Sequence, residues 1–218
     1  MEPTILFEDA DLIIVDKPAG MIVHPDGKHD YPALDAWLTA KYGPVFLVHR
    51  IDRETSGVLL VARNEKAQEF LKQQFKNREV RKVYRAFAYG TLPERGTIDK
   101  PIGSTRGGLG PRSAKAPYGQ LRDAVTLYRR ISSGNGASYV EVFPKTGRTH
   151  QIRVHLASIG HPLIADRLYA TKRPPLLGFD RLALHALSVV FVHPSGKEMT
   201  IAAPLPPDFV AAEKSLTL

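Results

Sequence analysis

The chain has 218 residues, 43% of them hydrophobic, and a formal net charge of +8. This composition is ordinary for a globular protein, and no apolar run approaches the roughly 18 residues that a membrane-spanning helix needs. The absence of cysteine excludes disulfides and thiolate chemistry. The first sixteen residues include Glu2, Glu8, Asp9 and Asp11 but no Lys or Arg, unlike a secretory or transit signal. We therefore expect a cytoplasmic protein.

The N-terminal part of the chain alternates short apolar runs with turn residues. Residues 4–7 and 12–15 are predicted to pair as a hairpin that ends at the Lys-Pro-Ala-Gly segment 17–20. Residues 31–41 carry apolar side chains at helical spacing and precede Gly43 and Pro44, a common helix stop. We therefore expect a hairpin followed by a helix.

A second helix is predicted over residues 65–77, because Asn64 is a favourable N-terminal cap and apolar residues recur at helical spacing. Three residues are expected on its inward face: Phe70, Leu71 and Phe75. Residues 80–89 are predicted to follow as a strand, since their apolar side chains partly alternate.

Residues 103–119 are the strongest loop candidate, with five glycines, two prolines and three basic residues. Gly and Pro interrupt regular structure, and long loops inside compact domains are usually functional or disordered. We expect a mobile, positively charged loop that closes on a ligand. A plain flexible linker is the alternative.

Strands dominate the second half of the chain. Residues 124–131 and 138–143 are predicted to pair across a turn at 132–136, and residues 187–193 to pair with 198–202. Since strands outnumber helices and most neighbours are predicted to be antiparallel, the fold class is α+β.

One helix is predicted between these two strand pairs. Thr149 is expected to cap it, and it runs to Ile159 and stops at Gly160. We see no domain boundary, so we expect one catalytic domain over residues 1–218, with an ordered core from about 4 to 209.

The positive charge is concentrated in two windows. Residues 63–85 carry eight basic and three acidic residues, and residues 103–119 carry three basic residues and no acid. The windows contribute +5 and +3, which together equal the net charge. Clustered positive charge indicates a polyanion such as nucleic acid. For the first window, a solvated helix face with paired charges is the alternative.

The densest cluster of polar residues is segment 49–57, which reads His-Arg-Ile-Asp-Arg-Glu-Thr-Ser-Gly. Apolar runs at 45–48 and 58–61 flank it, which predicts a tight loop between strands. Neighbouring cations favour the ionised form of Asp52, which suits a nucleophile or a base. A surface loop held by ion pairs is an equally good interpretation of these residues alone.

Two further segments carry chemically useful side chains. Residues 82–86 place Tyr84 on a predicted strand among cations, and residues 145–155 place Arg148 just before the predicted helix. With Asp52, they supply a carboxylate, a guanidinium that can bind it through two hydrogen bonds, and an aromatic ring that can stack on a base. No spacing rule brings the three together, so their convergence depends on the fold.

These segments resemble the RluA family of RNA pseudouridine synthases. The family signature reads His-Arg-Leu-Asp-x-x-Thr-Ser-Gly, and residues 49–57 keep it apart from Ile51. Residues 82–86 are similar to the family's tyrosine motif and residues 146–155 to its arginine motif. Segments 160–169 and 184–186, followed by His193-Pro194, also fit, with Ala165 replacing the usual glycine.

The likeness extends from about residue 6 to residue 209. It implies the pseudouridine synthase fold, a mixed and mainly antiparallel sheet flanked by helices and loops, with a central cleft. Many members carry an N-terminal RNA-binding domain, which we do not expect here because the aspartate motif begins at residue 49.

The resemblance also implies a role for each motif residue. Asp52 is expected to initiate cleavage of the uridine N-glycosidic bond, after which the base turns over and rejoins the ribose through C5. Tyr84 is expected to lie against the uracil ring, and its hydroxyl could take the C5 proton. Arg148 is expected to pair with Asp52, and Arg50 to enter the stack that the flipped nucleotide vacates. Whether Asp52 attacks covalently or acts as a base is open.

The substrate is expected to be structured RNA, either ribosomal or transfer RNA, with a compact stem-loop as the preferred target. Phosphate contacts would offset the few kcal/mol that turning a base out of its stack costs. We expect these residues to contact RNA: His49, Arg50, Thr55, Arg63, Lys76, Arg78, Lys82, Arg106, Arg112, Lys115 and Ile152. The isomerisation needs no cofactor, and no nucleotide-binding or zinc motif occurs, so we expect neither a cofactor nor a metal. We expect a monomer.

Two other functions remain open. A carboxylate-dependent nucleosidase or glycosidase also breaks a bond at the sugar C1′, but a glycosidase needs a second carboxyl group, for which Glu54 is the nearest candidate. A non-catalytic RNA-binding module, in which Asp52 stabilises the loop, is the second.

Overall fold

The computed structural model describes residues 2–25, 27, 30–105, 112–114 and 118–216. It forms two compact units. The first contains the chain up to Lys82 and His185–Pro204, and the second contains Val83–Leu184 and the chain from Leu205 onward. That the whole chain works as one catalytic domain stays a prediction.

The fold class is α+β with mainly antiparallel pairing, as predicted. In chain order the elements are β1 (Thr4–Glu8), β2 (Leu12–Lys17), α1 (Leu34–Tyr42), β3 (Phe46–Leu47), β4 (Ser56–Ala62), α2 (Glu65–Lys76), β5 (Arg81–Tyr89), β6 (Arg95–Asp99), β7 (Ile102–Ser104), β8 (Arg112–Ser113), β9 (Tyr118–Arg122), β10 (Val125–Gly134), β11 (Ala137–Pro144), α3 (Gln151–Ser158), β12 (Leu184–Val192), β13 (Glu198–Ala202) and α4 (Pro207–Leu216). Among the described residues, no helix is long and apolar enough to cross a bilayer.

The first unit is built around β4. Its strands lie in the order β1-β2-β4-β12, with β3 also paired to β4 and β13 to β12. Every residue of β4 is buried, because apolar clusters pack on both faces of the sheet. At the start of β4, Gly57 pairs with Ala186. A Cβ at Gly57 would come within 2.2 Å of the Ala186 carbonyl oxygen, so this approach requires glycine.

The helices of the first unit agree with the sequence prediction in type but not in every detail. Asn64 caps α2 by accepting the backbone N–H of Ala67 at 2.8 Å, as predicted. Phe70 was predicted to face inward and is 39% exposed instead. The first helix begins at Leu34 rather than at residue 31, since Pro32 disfavours helical geometry in the residue before it.

The second unit has the antiparallel strand order β5-β11-β10-β6. One face packs with α3 and the other with α4. The turn between β10 and β11 is Asn135-Gly136, with φ angles of 50° and 75°, rather than the predicted 132–136. A two-residue turn with positive φ at both positions matches the right-handed twist of the two strands that it joins. Because the turn is this short, β10 and β11 extend farther than predicted.

Two local predictions in the second unit are wrong. His150 occupies the N-cap position of α3 in a left-handed conformation with φ 57°, so Thr149 is not the cap. Part of the predicted loop 103–119 is regular, because β7 pairs with β8 and β9 in a small antiparallel sheet. Residues 106–111 and 115–117 of that loop lie outside the described residues.

Candidate active site

Asp52 lies in a turn that leads into β4. The backbone N–H of Thr55 donates to the Asp52 carbonyl oxygen at 3.1 Å. Ile51 before the turn is 6% exposed and packs in the apolar cluster under α1. Asp52 itself is half-buried. The predicted tight loop at this position is confirmed, and its two ends are fixed by core packing.

A buried lysine holds the same turn from the other side. Lys17 has no solvent exposure, and its ammonium donates to the carbonyl oxygens of Pro18, Met21 and Arg53 at 2.9, 2.8 and 3.2 Å. The Gly20 N–H also donates to Arg53 O at 2.8 Å. Lys17 was not among the site residues predicted from the sequence, although it opens the Lys-Pro-Ala-Gly segment at the end of β2.

The imidazole of His49 is held by two elements. Its Nε2 accepts the backbone N–H of Leu60 at 2.9 Å, and the ring stacks on Phe75 with centroids 4.6 Å apart. Burial, and then the positive charge of Lys82, lowers the pKa of His49 to about 3. The histidine is therefore neutral at neutral pH.

Lys82 is half-buried at the start of β5. Burial lowers its pKa from 10.5 to about 8, so it is still mostly charged at neutral pH. It keeps the charge that a phosphate contact requires.

The start of β4 carries a further buried polar pair. Ser56 Oγ and His185 Nδ1 are 2.9 Å apart, with the residues 5% and 0% exposed. Together with the Gly57–Ala186 approach, this pair fixes β4 against β12 directly after the Asp52 turn. The pairing could not be predicted, because the two residues are 129 positions apart.

Arg148 lies in the second unit, between β11 and α3. Its Nε donates to the carbonyl oxygen of Asp123 at 3.0 Å, and its backbone N–H donates to Gln151 Oε1 at 3.0 Å. The side chain is half-buried. One backbone carbonyl therefore orients the side chain of Arg148, and one buried glutamine fixes its backbone.

Gln151 organises the segment around Arg148. It is 4% exposed, accepts the Thr146 hydroxyl at 2.7 Å, and donates to Val125 O and Thr126 Oγ1, each at 3.0 Å. Buried amides with satisfied donors and acceptors fix their neighbours strongly. Gln151 belongs to the arginine motif, but this role could not be predicted from the sequence.

A buried ion pair supports α3. Arg153 donates two hydrogen bonds to Asp166, both 2.8 Å long, and the two side chains are 5% and 0% exposed. The Arg153 guanidinium lies over the ring of Tyr169, with its central carbon 5.3 Å from the ring centroid. The Tyr169 hydroxyl accepts the Arg112 N–H at 2.8 Å and lies 3.0 Å from His150 Nδ1.

Tyr84 lies on β5 opposite Val142 of β11. It is half-buried and packs against the apolar cluster beneath α3. Asp52 belongs to the first unit, while Tyr84 and Arg148 belong to the second. The predicted convergence of these three side chains stays a prediction.

The residues predicted to contact RNA occupy different environments. Arg50, Lys76 and Arg78 are exposed. The half-buried Arg63 donates from Nη1 to Asp9 O at 2.6 Å. Arg112 is also half-buried. Arg106 and Lys115 lie outside the described residues.

Two of the predicted RNA contacts are buried. Thr55 is 1% exposed and Ile152 is 6% exposed, the latter within the apolar cluster under α3. A direct RNA contact stays a prediction for both. In the described part of the chain, no group of three or more His, Cys, Asp or Glu side chains is arranged to hold a metal.

Residues 11–158, more than half of the chain, match the family described as RNA pseudouridylate synthase. The chain belongs to the RNA pseudouridine synthase family. The RluA resemblance and the assignment as an isomerase that acts on RNA are confirmed.

Curated relatives and solved structures agree with the family. The chain is 37% identical over 231 residues to "Ribosomal large subunit pseudouridine synthase D" of Zymomonas mobilis, covering 98% of this chain and 73% of that one. It is 39% identical over 225 residues to the protein of the same name from Escherichia coli K12, with 94% and 68% covered. Human RNA Pseudouridylate Synthase Domain Containing 4 superimposes with a TM-score of 0.79 at 26% identity, covering 98% and 92%.

Proposed function

We propose that this synthase isomerises uridine to pseudouridine in ribosomal RNA of the large subunit, with Asp52 as the catalytic carboxylate. The observation that carries the proposal is the Asp52 turn. It keeps the family signature apart from Ile51 and is fixed by the buried Lys17 ammonium through Arg53 O at 3.2 Å. The choice of ribosomal over transfer RNA follows from the names of the relatives.

The reaction breaks the bond between N1 of uracil and C1′ of ribose and forms a bond between C5 and C1′. Asp52 initiates the cleavage, either by covalent attack or by removing a proton from the sugar. After the base rotates and the new bond forms, C5 loses its proton and N1 gains one. Tyr84 is the base that takes the C5 proton in this proposal. Uracil is never released, so no second carboxylate acid is required.

Arg148 has the geometry of a positioning residue. A guanidinium is planar and always charged, and in this structure its Nε donates to Asp123 O at 3.0 Å, which leaves its terminal nitrogens to bind a carboxylate. We assign it the role of holding Asp52 ionised and aimed. The cytoplasmic location, the monomeric state and the absence of a metal stay predictions.

The test is to incubate the protein separately with large-subunit ribosomal, small-subunit ribosomal and transfer RNA, then digest each RNA to nucleosides. We expect pseudouridine in the large-subunit RNA and no free uracil. Free uracil would instead establish a nucleosidase. Binding without any product from wild-type protein would establish an RNA-binding module.

A further inference from the structure

The hydrogen bond between His49 and Leu60 lies where a strand is interrupted. β3 pairs with β4 through Phe46 with Ala62 and Leu47 with Val61. Continuing this register would place Val48 opposite Leu60, but β3 ends at Leu47. The Leu60 N–H instead donates to Nε2 of His49 at 2.9 Å. The imidazole thus satisfies a strand amide while the backbone turns away from the sheet.

The ring is also held on its face. Phe75 of α2 stacks on it at 4.6 Å with an interplanar angle of 27°. A nitrogen that accepts a backbone N–H carries no proton of its own, so His49 is neutral with its proton on Nδ1. The pKa of about 3, caused by burial and by Lys82, is consistent with that state.

His49 is the first of two fixed points around the catalytic carboxylate. It precedes Asp52 by three residues. Arg53, the residue after Asp52, is held through its carbonyl oxygen by Lys17 and by the Gly20 N–H. The segment that carries Asp52 is therefore anchored on both sides, through a side chain on one side and the backbone on the other.

We propose that His49 is a positioning residue for Asp52 and not the RNA contact that its place in the motif predicts. The hydrogen bond to Leu60 and the stacking on Phe75 set the path of residues 49–52, and so the direction of the Asp52 carboxylate. This inference rests on the proposed function. Arg50, which is exposed, remains a candidate RNA contact beside Asp52 in this segment.

The test compares three variants: His49→Leu, His49→Gln and Phe75→Leu. Leu removes the acceptor, Gln places an amide oxygen near the position of Nε2, and Phe75→Leu keeps an apolar contact without the stacked ring. The rate constant for pseudouridine formation is measured in single turnover with enzyme above its Kd, and the RNA Kd is measured separately. Thermal denaturation of each variant shows whether it is folded.

We expect His49→Leu to lower the single-turnover rate constant about 100-fold, the scale on which a small misplacement of a reacting group acts. The RNA Kd should be unchanged. His49→Gln should recover most of the rate, and Phe75→Leu should lose part of it. A lower rate constant that depends on the hydrogen-bond acceptor for the Leu60 N–H, with unchanged RNA binding, indicates that His49 positions Asp52. A direct RNA contact would instead weaken binding.

Several results would overturn the inference. The wild-type rate constant in His49→Leu would do so. So would weaker RNA binding by His49→Leu with an unchanged rate constant at saturating enzyme. A loss of rate that His49→Gln shows to the same extent would also contradict it. If His49→Leu fails to fold, the other two variants decide, and a wild-type rate in Phe75→Leu overturns the inference. Wild-type protein that forms no pseudouridine contradicts the proposed function instead, which keeps the two failures separate.

Discussion

The ammonium of Lys17 donates a hydrogen bond to the carbonyl oxygen of Arg53, 3.2 Å away, from a position with no solvent exposure. This contact joins the end of β2 to the turn that carries Asp52. A lysine is rarely buried without specific contacts, and here the ammonium donates to three backbone carbonyl oxygens.

Replacing Lys17 with Met should therefore destabilise the protein. Met fills similar volume but removes the ammonium donor from the carbonyl oxygens of Pro18 and Met21, and each such loss costs about 1–3 kcal/mol. Arg53 O keeps the Gly20 N–H as a donor. We expect urea denaturation to show a loss of about 3 kcal/mol or more in the free energy of unfolding. Lys72→Met, at an exposed position of α2, is the control. Equal stability of the two variants would show that the buried contacts contribute little.

The ion pair of Arg153 with Asp166 should behave differently from the exposed pair of Arg81 with Glu198. The side chains of the first pair are 5% and 0% exposed, and those of the second are 65% and 63% exposed. Arg153→Met leaves the buried Asp166 carboxylate without its ion-pair partner, although two backbone N–H groups still donate to it, and such a loss costs about 3–5 kcal/mol. Arg81→Met should cost less than about 1 kcal/mol. Chemical denaturation of both variants measures the difference.

Because the pKa of His49 is lowered in the folded protein, we expect the protein to lose stability in acid. Its pKa is about 3 in the folded protein and 6.5 when unperturbed. Between these values the unfolded chain binds a proton that the folded chain does not, so stability falls as pH drops below about 6.5. From pH 7 to pH 5 the loss is about 2 kcal/mol.

The matched control for this pH effect is His49→Gln, which cannot titrate. Unfolding free energies of both proteins are measured at pH 7, 6 and 5, and the difference between them isolates His49 from the other histidines. The gap should change by about 2 kcal/mol across this range. A gap that does not depend on pH would mean that His49 titrates normally in the folded protein.

The exposed cations after α2 should contribute to RNA affinity through phosphates. Arg78→Gln is expected to weaken binding equally for different RNA sequences and to reduce the slope of log Kd against log salt by about 1. Fluorescence titrations at several salt concentrations measure both effects. Lys197→Gln, in the exposed turn between β12 and β13, should leave the slope unchanged. The same slope in wild type, Arg78→Gln and Lys197→Gln would show that Arg78 does not contact RNA phosphates.

Local signals in the sequence were enough to predict much of the fold. The hairpin of β1 and β2, the Asn64 cap and the stop at Gly160 each depend on residues a few positions apart. The β7–β8–β9 sheet could not be predicted, because the glycines and prolines of residues 103–119 favour a loop over any strand pattern. Helix α4 was not predicted. Its first residue is Pro207, which is favoured at a helix start, but the prolines at 204, 206 and 207 also indicate a loop.

The same distinction applies to the site. The motif segments around Asp52, Tyr84 and Arg148 could be identified from the sequence, but the residues that hold them could not. Lys17 contacts Arg53 across 36 positions, and Gln151 contacts Thr126 across 25. Such contacts follow from strand pairing, which no spacing rule within one segment reveals.

The central claim is that the Asp52 carboxylate initiates the isomerisation. Asp52→Asn keeps the shape of the side chain but removes its charge, so the most direct measurement is pseudouridine formed in single turnover by wild type and by this variant, with RNA Kd measured in parallel. We predict that Asp52→Asn binds RNA with the wild-type Kd and forms no pseudouridine. Product formation by Asp52→Asn at the wild-type rate would contradict the account.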